Sequence, residues 1–108
     1  MRQPGSRRPV TPRRIVFAAS FGAALRAFPP DQQDAIADAV KKFRARTAEN
    51  ALRVERKEGI DCWAFRVPGV SGVRVFFVQD RDEEGRFSRL FHVGPHDDYR
   101  TVKRRIPK

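Results

Sequence analysis

Near Leu52 the apolar residues of this chain change their spacing, and the change dictates a fold class. Before it, Phe21, Leu25 and Phe28 recur at helical intervals, as do Ile36, Val40 and Phe43. Side chains three or four apart form one stripe along a helix, so each segment is expected to bury one face. Pro29-Pro30 must end the first helix, since proline has no amide proton for an interior turn. The second proline can open the next helix, where that proton has no partner to lose. Ser20 is a candidate N-cap for the first helix. The second is expected from about Pro30 to Arg46, with Asp31, Asp34 and Asp38 early and Lys41, Lys42, Arg44 and Arg46 late, an order that suits the helix dipole.

Beyond Leu52 the period is two. In Cys62 to Val67 it places Trp63, Phe65 and Val67 on one face and Cys62, Ala64 and Arg66 on the other. Pro68 to Gly72 reads as a turn. Val73 to Gln79 follows, with Val73, Val75 and Phe77 on one face and Arg74, Phe76 and Val78 on the other. Asp80 to Gly85 reads as a charged hairpin loop, and Phe87 to Val93 as the last strand. With a short strand at Arg14 to Ala19, the expected order is β-α-α-β-β-β. This is an α+β fold, a small antiparallel sheet with two N-terminal helices packed on one face.

A chain of 108 residues supports one core. Residues 1–13, rich in Pro, Gly and Arg, are expected to form a flexible basic arm, leaving 14–108 as a single domain. An Arg-rich, acid-poor arm would also suit an organellar transit peptide. Twenty-three basic residues against 13 acidic give a formal charge of +10. Such a field attracts phosphate polymers, so nucleic acid, an acidic protein partner, or both are expected. The single cysteine, Cys62, excludes an internal disulfide and a multi-cysteine zinc site, and reads as a small apolar strand residue of a protein in a reducing compartment. No window approaches the roughly 18 apolar residues of a membrane span, and no apolar signal-peptide core opens the chain. A cytoplasmic location without membrane contact is expected.

Both histidines and the only tyrosine fall within His92-Val-Gly-Pro-His96-Asp-Asp-Tyr99. Imidazoles transfer protons near neutral pH, and the Gly-Pro turn sets their directions. His92 shares a face with Leu90 and Ser88 if the strand alternates regularly, and reads equally as a hydrogen-bonded sheet residue or a proton-transfer group. If a helical turn follows Gly94-Pro95, His96 and Tyr99 lie on one side of it. Asp97 and Asp98 read as first-turn helix residues. Arg66 and Arg74 can point into one open surface opposite Trp63, Phe65, Val75 and Phe77. An arginine such as Arg74 inside an apolar strand needs either a carboxylate or an anionic ligand.

The stretches WAFRV and GVRVFFV and the closing LFHVGPHDDYRTVKRR, in this order, resemble the RelE/ParE superfamily of toxins from bacterial type II toxin-antitoxin systems. The likeness runs from about Arg14 to Ile106. It implies the β-α-α-β-β-β fold and a metal-independent endoribonuclease without cofactor. RelE-type members cut mRNA on the ribosome and are neutralised by a cognate acidic antitoxin, whereas ParE-type members inhibit DNA gyrase without nuclease activity. An inactive nucleic-acid-binding relative is the remaining alternative. By the same resemblance Arg74 would hold the scissile phosphate, Arg66 would be a second basic strand position, and His96 would match the active histidine or arginine after the last strand. Tyr99 would match the late aromatic, about one residue nearer the preceding motif than in some relatives. A lysine position of RelE-type enzymes falls here on Ala64. The expected catalytic set is therefore Arg74, His96, Tyr99 and Arg66, with His92 ranked below. Arg53, Arg56, Lys57, Lys103 and Arg104 would hold the RNA backbone.

Overall fold

The computed structural model describes residues 11–47 and 49–107. Its elements are β1 (Ile15–Phe17), α1 (Ala19–Leu25), α2 (Pro30–Ala45), α3 (Glu49–Leu52), β2 (Glu55–Lys57), β3 (Cys62–Arg66), β4 (Val73–Asp82), β5 (Gly85–Pro95) and α4 (Tyr99–Arg105). The strands form one five-stranded sheet in the order β1-β5-β4-β3-β2. The expected α+β architecture is found. Two strand features were absent from the sequence pattern: β2 is an added edge strand, and β1 runs parallel to β5 while the other pairs are antiparallel. Among the described residues no helix is long and apolar enough to cross a membrane.

The main core lies between α1, α2 and one face of the sheet. Phe21, Ile36, Val40 and Phe43 from the helices meet Phe65, Val75, Phe77, Leu90 and Val93 from the strands. Phe43 is its centre, stacked on Phe65 at 4.4 Å between centroids and tilted against Phe77 at 4.9 Å. Pro30 opens α2, and Arg46 closes it in the left-handed region (φ 59°), where its amide donates to backbone carbonyls of the last turn. Ser20 does not cap α1. The helix begins two residues earlier than such a cap would start it, at Ala19 with Ala18 as N-cap, and the Ser20 hydroxyl donates instead to the carbonyl of Phe91.

The opposite face is also covered. Cys62, Ala64, Phe76 and Phe91 form a second, smaller core beneath Val102 of α4. This explains the unbroken apolar run from Val75 to Val78, since a strand buried on both faces has no polar side to alternate with. The expected Asp80 to Gly85 loop is shorter than the charges suggest. Its backbone stays paired out to Asp82 and Gly85, leaving Glu83 and Glu84 as the turn. Of the expected N-terminal arm, residues 1–10 lie outside the described residues. Arg13 is held against α2, its amide donating to the Arg44 carbonyl (2.8 Å), its Nε to that of Phe43 (2.9 Å), and its guanidinium lying over the Phe43 ring.

Candidate active site

Register places the site residues. On the α4 side of the sheet, Arg66 of β3 stands opposite Arg74 of β4, and Arg74 stands opposite Gly94 of β5. The next row along is Glu55, Ala64, Phe76 and His92. Arg53, just before β2 and at a left-handed φ of 49°, brings a third guanidinium to this end, so that Arg53, Glu55, Arg66 and Arg74 line one depression. Like charges directly across a strand pair repel. No carboxylate lies within ion-pairing distance of Arg66 or Arg74 among the described residues. Arg74 donates only to the neighbouring Val73 carbonyl (3.2 Å), and the Glu55 carboxylate faces Lys57 at 3.8 Å. Arg74 is half-buried and Arg66 exposed, and two facing guanidiniums without a bound carboxylate make a site that an anion would stabilise.

His96 lies at this end of the sheet, whereas Tyr99 lies beside Lys57, which pairs with Cys62 further along β3. The His96 amide donates to the Gly72 carbonyl (2.7 Å), tying the turn after β5 to the start of β4. Its ring approaches Gly72, and the residue is exposed. Tyr99 opens α4, is 43% exposed, and has the Lys57 ammonium 5.7 Å from its ring centroid. Ala64, fully buried in the second core, contributes no cation, so Lys57 is the amine beside Tyr99.

His92 sits elsewhere. A bulge between the Phe76 and Phe77 pairings inserts Phe91 into β5, so Phe77 pairs with Leu90 and Phe76 with His92. Regular alternation put His92 on the face of Leu90; the bulge turns it to the α4 face, tilted against Phe76 at 5.8 Å. It is 4% exposed, with Nε2 3.3 Å from Asp98 Oδ2 and Nδ1 3.4 Å from Arg105 Nη1. Burial pulls its pKa below the ordinary 6.5; the Asp98 hydrogen bond opposes that shift and the Arg105 charge adds to it. Asp98 stands at the N-cap of α4, but its carboxylate faces His92 and does not cap the helix.

The expected RNA-binding residues do not all gather. Arg53 and Lys57 lie at the site. Arg56 pairs with Trp63 in register, which puts it on the other face, and it is bound to Asp61 at 2.7 Å. Lys103 and Arg104 lie on the exposed side of α4. A larger depression, about 730 Å³, lies around Trp63 and is lined in part by Arg46, Arg81 and Arg86. It contains no histidine or tyrosine, so it offers no group for proton transfer near neutral pH. Cys62 is buried, and that burial pushes its thiol up to about 11, away from the thiolate form. Sequence reasoning missed Glu55 and Arg105. Glu-Arg-Lys carries no apolar alternation to reveal β2, and Arg105 was one cation in a basic run.

No family model and no curated protein matches the chain. Solved structures do, and they define the fold as RelE-like. A chain of the toxin-antitoxin complex RelBE2 from Mycobacterium tuberculosis superposes with a TM-score of 0.56 at 17% identity, covering 78% of this chain and 98% of that one. A chain of the archaeal RelE-RelB complex from Pyrococcus horikoshii OT3 gives 0.57 at 14% identity, covering 82% and 99%. The resemblance read from the sequence is thus borne out at the level of fold.

Proposed function

We propose that this protein is the toxin of a toxin-antitoxin pair and an mRNA endoribonuclease acting on the ribosome. The observation that carries the reading is the convergence of Arg66 and Arg74, with Arg53, on one open end of the sheet, where among the described residues no carboxylate pairs with Arg66 or Arg74 and the neighbouring Glu55 faces Lys57. An exposed histidine, His96, follows β5 at this end, and a half-exposed tyrosine, Tyr99, opens α4 beside Lys57, residue types that suit phosphodiester cleavage. The similar solved structures are complexes with antitoxins, which supports an acidic protein partner for this strongly basic chain.

The chemistry is transfer of the phosphate within the substrate. The 2'-hydroxyl attacks the adjacent phosphorus in line and loses its proton, and the bond to the 5'-oxygen breaks. The products are a 2',3'-cyclic phosphate and a 5'-hydroxyl, the leaving oxygen having gained a proton. Arg66 and Arg74 hold the phosphate and neutralise charge developing on its oxygens, the role for which the planar guanidinium is suited. His96 transfers the proton, and Tyr99 stacks on a splayed base or directs the reacting oxygen. Lys57, Lys103 and Arg104 contact the backbone, with Arg56 outside the immediate site. No metal or cofactor enters this scheme.

The test is translation of a defined mRNA in a cell-free system, with 5'-hydroxyl ends mapped with and without ribosomes. Ends that appear only with ribosomes, and vanish with Arg74→Ala or His96→Ala, are expected. Full activity of both variants removes the assignment. Absence of cleavage together with loss of gyrase supercoiling replaces the reading with that of a ParE-like inhibitor.

A further inference from the structure

We infer that His92 is a positioning residue, a clasp that ties both ends of α4 to the sheet and so sets His96 and Tyr99 against the arginine row; the catalytic half of this inference rests on the function proposed above. A neutral imidazole offers one donor and one acceptor. Nδ1 faces the Arg105 guanidinium, which can only donate, so Nδ1 accepts and the ring proton sits on Nε2, directed at the Asp98 carboxylate. Only this tautomer serves both partners, and a proton taken up or lost at either nitrogen breaks one contact. That is the opposite of what a catalytic acid or base needs.

The two partners bracket the helix. Asp98 immediately precedes Tyr99, the first residue of α4, and Arg105 is its last. A seven-residue helix is far below the ~12–15 residues at which an isolated helix becomes even marginal in water, so its position depends on docking. Val102, in one cluster with Phe76 and Phe91, and the partly buried Ile106 at the C-cap supply the apolar part of that docking, which leaves the N-terminal end of the helix to polar contacts. The clasp fixes its two ends, and Arg105 adds a bond to the Ser20 carbonyl at 3.3 Å, reaching α1. Gly94 belongs to the same device. A Cβ there would lie 2.8 Å from His92 Nε2 and 3.4 Å from Asp98 Oδ2, so the contact passes over a position where a side chain cannot stand.

His92→Phe keeps the ring against Phe76 and removes both polar contacts, whereas His92→Gln can restore a donor and an acceptor. Two readouts are taken on the full chain: amide exchange at Val102 and Ile106, whose protons bond within or just beyond α4, and ribosome-dependent cleavage. His92→Phe should speed that exchange and slow cleavage about tenfold each, the equivalent of one charge-assisted hydrogen bond, without altering the shape of the pH-rate profile. His92→Gln should return both to within about threefold of the parent, a difference smaller than one hydrogen bond's net worth. Unchanged exchange in His92→Phe overturns the clasp. Normal exchange with abolished cleavage or a changed pH profile in His92→Gln overturns it in favour of direct proton transfer. If the parent protein cleaves no RNA, the proposed function fails, and the exchange comparison alone upholds or overturns the clasp.

Discussion

Gly94→Ala isolates the packing around the buried imidazole. Gly94 is not among the residues with positive φ, so alanine meets no backbone strain there. The penalty must come from the new methyl group. It would stand 2.8 Å from His92 Nε2, about 0.7 Å inside the ~3.5 Å at which such atoms attract. The ring cannot retreat freely, with Phe76 packed against it and Arg105 at 3.4 Å from its other nitrogen. A shift of that size also stretches the 3.3 Å contact to Asp98 beyond hydrogen-bond range. Overpacking of about 1–3 kcal/mol plus a lost hydrogen bond of about 1 kcal/mol gives roughly 2–4 kcal/mol of destabilisation. The check is a double-mutant cycle by urea unfolding of the parent, Gly94→Ala, His92→Ala and the double variant. With the imidazole gone the methyl group has room, so the second substitution should be nearly neutral in that background. A Gly94→Ala effect within about 0.5 kcal/mol of zero, or an equal effect in both backgrounds, refutes the reasoning.

Stability should fall on acidification, because burial holds the folded-state pKa of His92 below the 6.5 at which the unfolded chain takes up the proton. Below that pH the unfolded state binds more protons, at a slope of at most about 1.4 kcal/mol per pH unit for this group. His92→Gln should flatten that part of the profile, and an equally steep variant would sink the attribution. Removing one of the facing arginines, as in Arg66→Ala or Arg74→Ala, should leave stability within about 0.5 kcal/mol of the parent while lowering the salt dependence of single-stranded RNA binding by about 0.7 per lost phosphate contact. An unchanged salt slope removes both residues from the interface. Cys62, its thiol raised to about 11, should resist alkylation in the folded protein at neutral pH and react on unfolding. Rapid modification of the native chain is the contrary result.

The elements that carry a strong apolar period could be read from the sequence. The α2 stripe of Ile36, Val40 and Phe43 and the faces of β3 and β4 stand where period predicts them. What period could not show was held by residues without one. In β2, Glu55, Arg56 and Lys57 are all charged and pair through backbone alone. In β5 the bulge sits within Leu90-Phe91-His92-Val93, where neighbours of similar size and burial give no phase to reveal an inserted residue. The charged hairpin reads as loop because exposed strand ends and turns share a composition. The continuous apolar run Val75 to Val78 requires cover on both faces, and the segment after Tyr99 is the remaining piece of chain to supply it.

That second cover also decides where the open chemistry can be. At 1.5 Å per residue, the seven residues of α4 extend about 10 Å, whereas the ten residues of β4 extend about 33 Å. The helix can shelter only the middle of its face, and both ends of the strand must show polar side chains to solvent. On this face of the hairpin end Asp80 pairs with Arg89 at 3.3 Å, and Asp82 with Arg14 at 2.7 Å. At the other end Arg66 faces Arg74, with no acid bound to either among the described residues. Of two ends exposed by the same short helix, one carries ion pairs on this face, and at the other Arg66 and Arg74 form none. The end of Arg66 and Arg74, where His96 follows β5, is where a phosphate would complete the pairing.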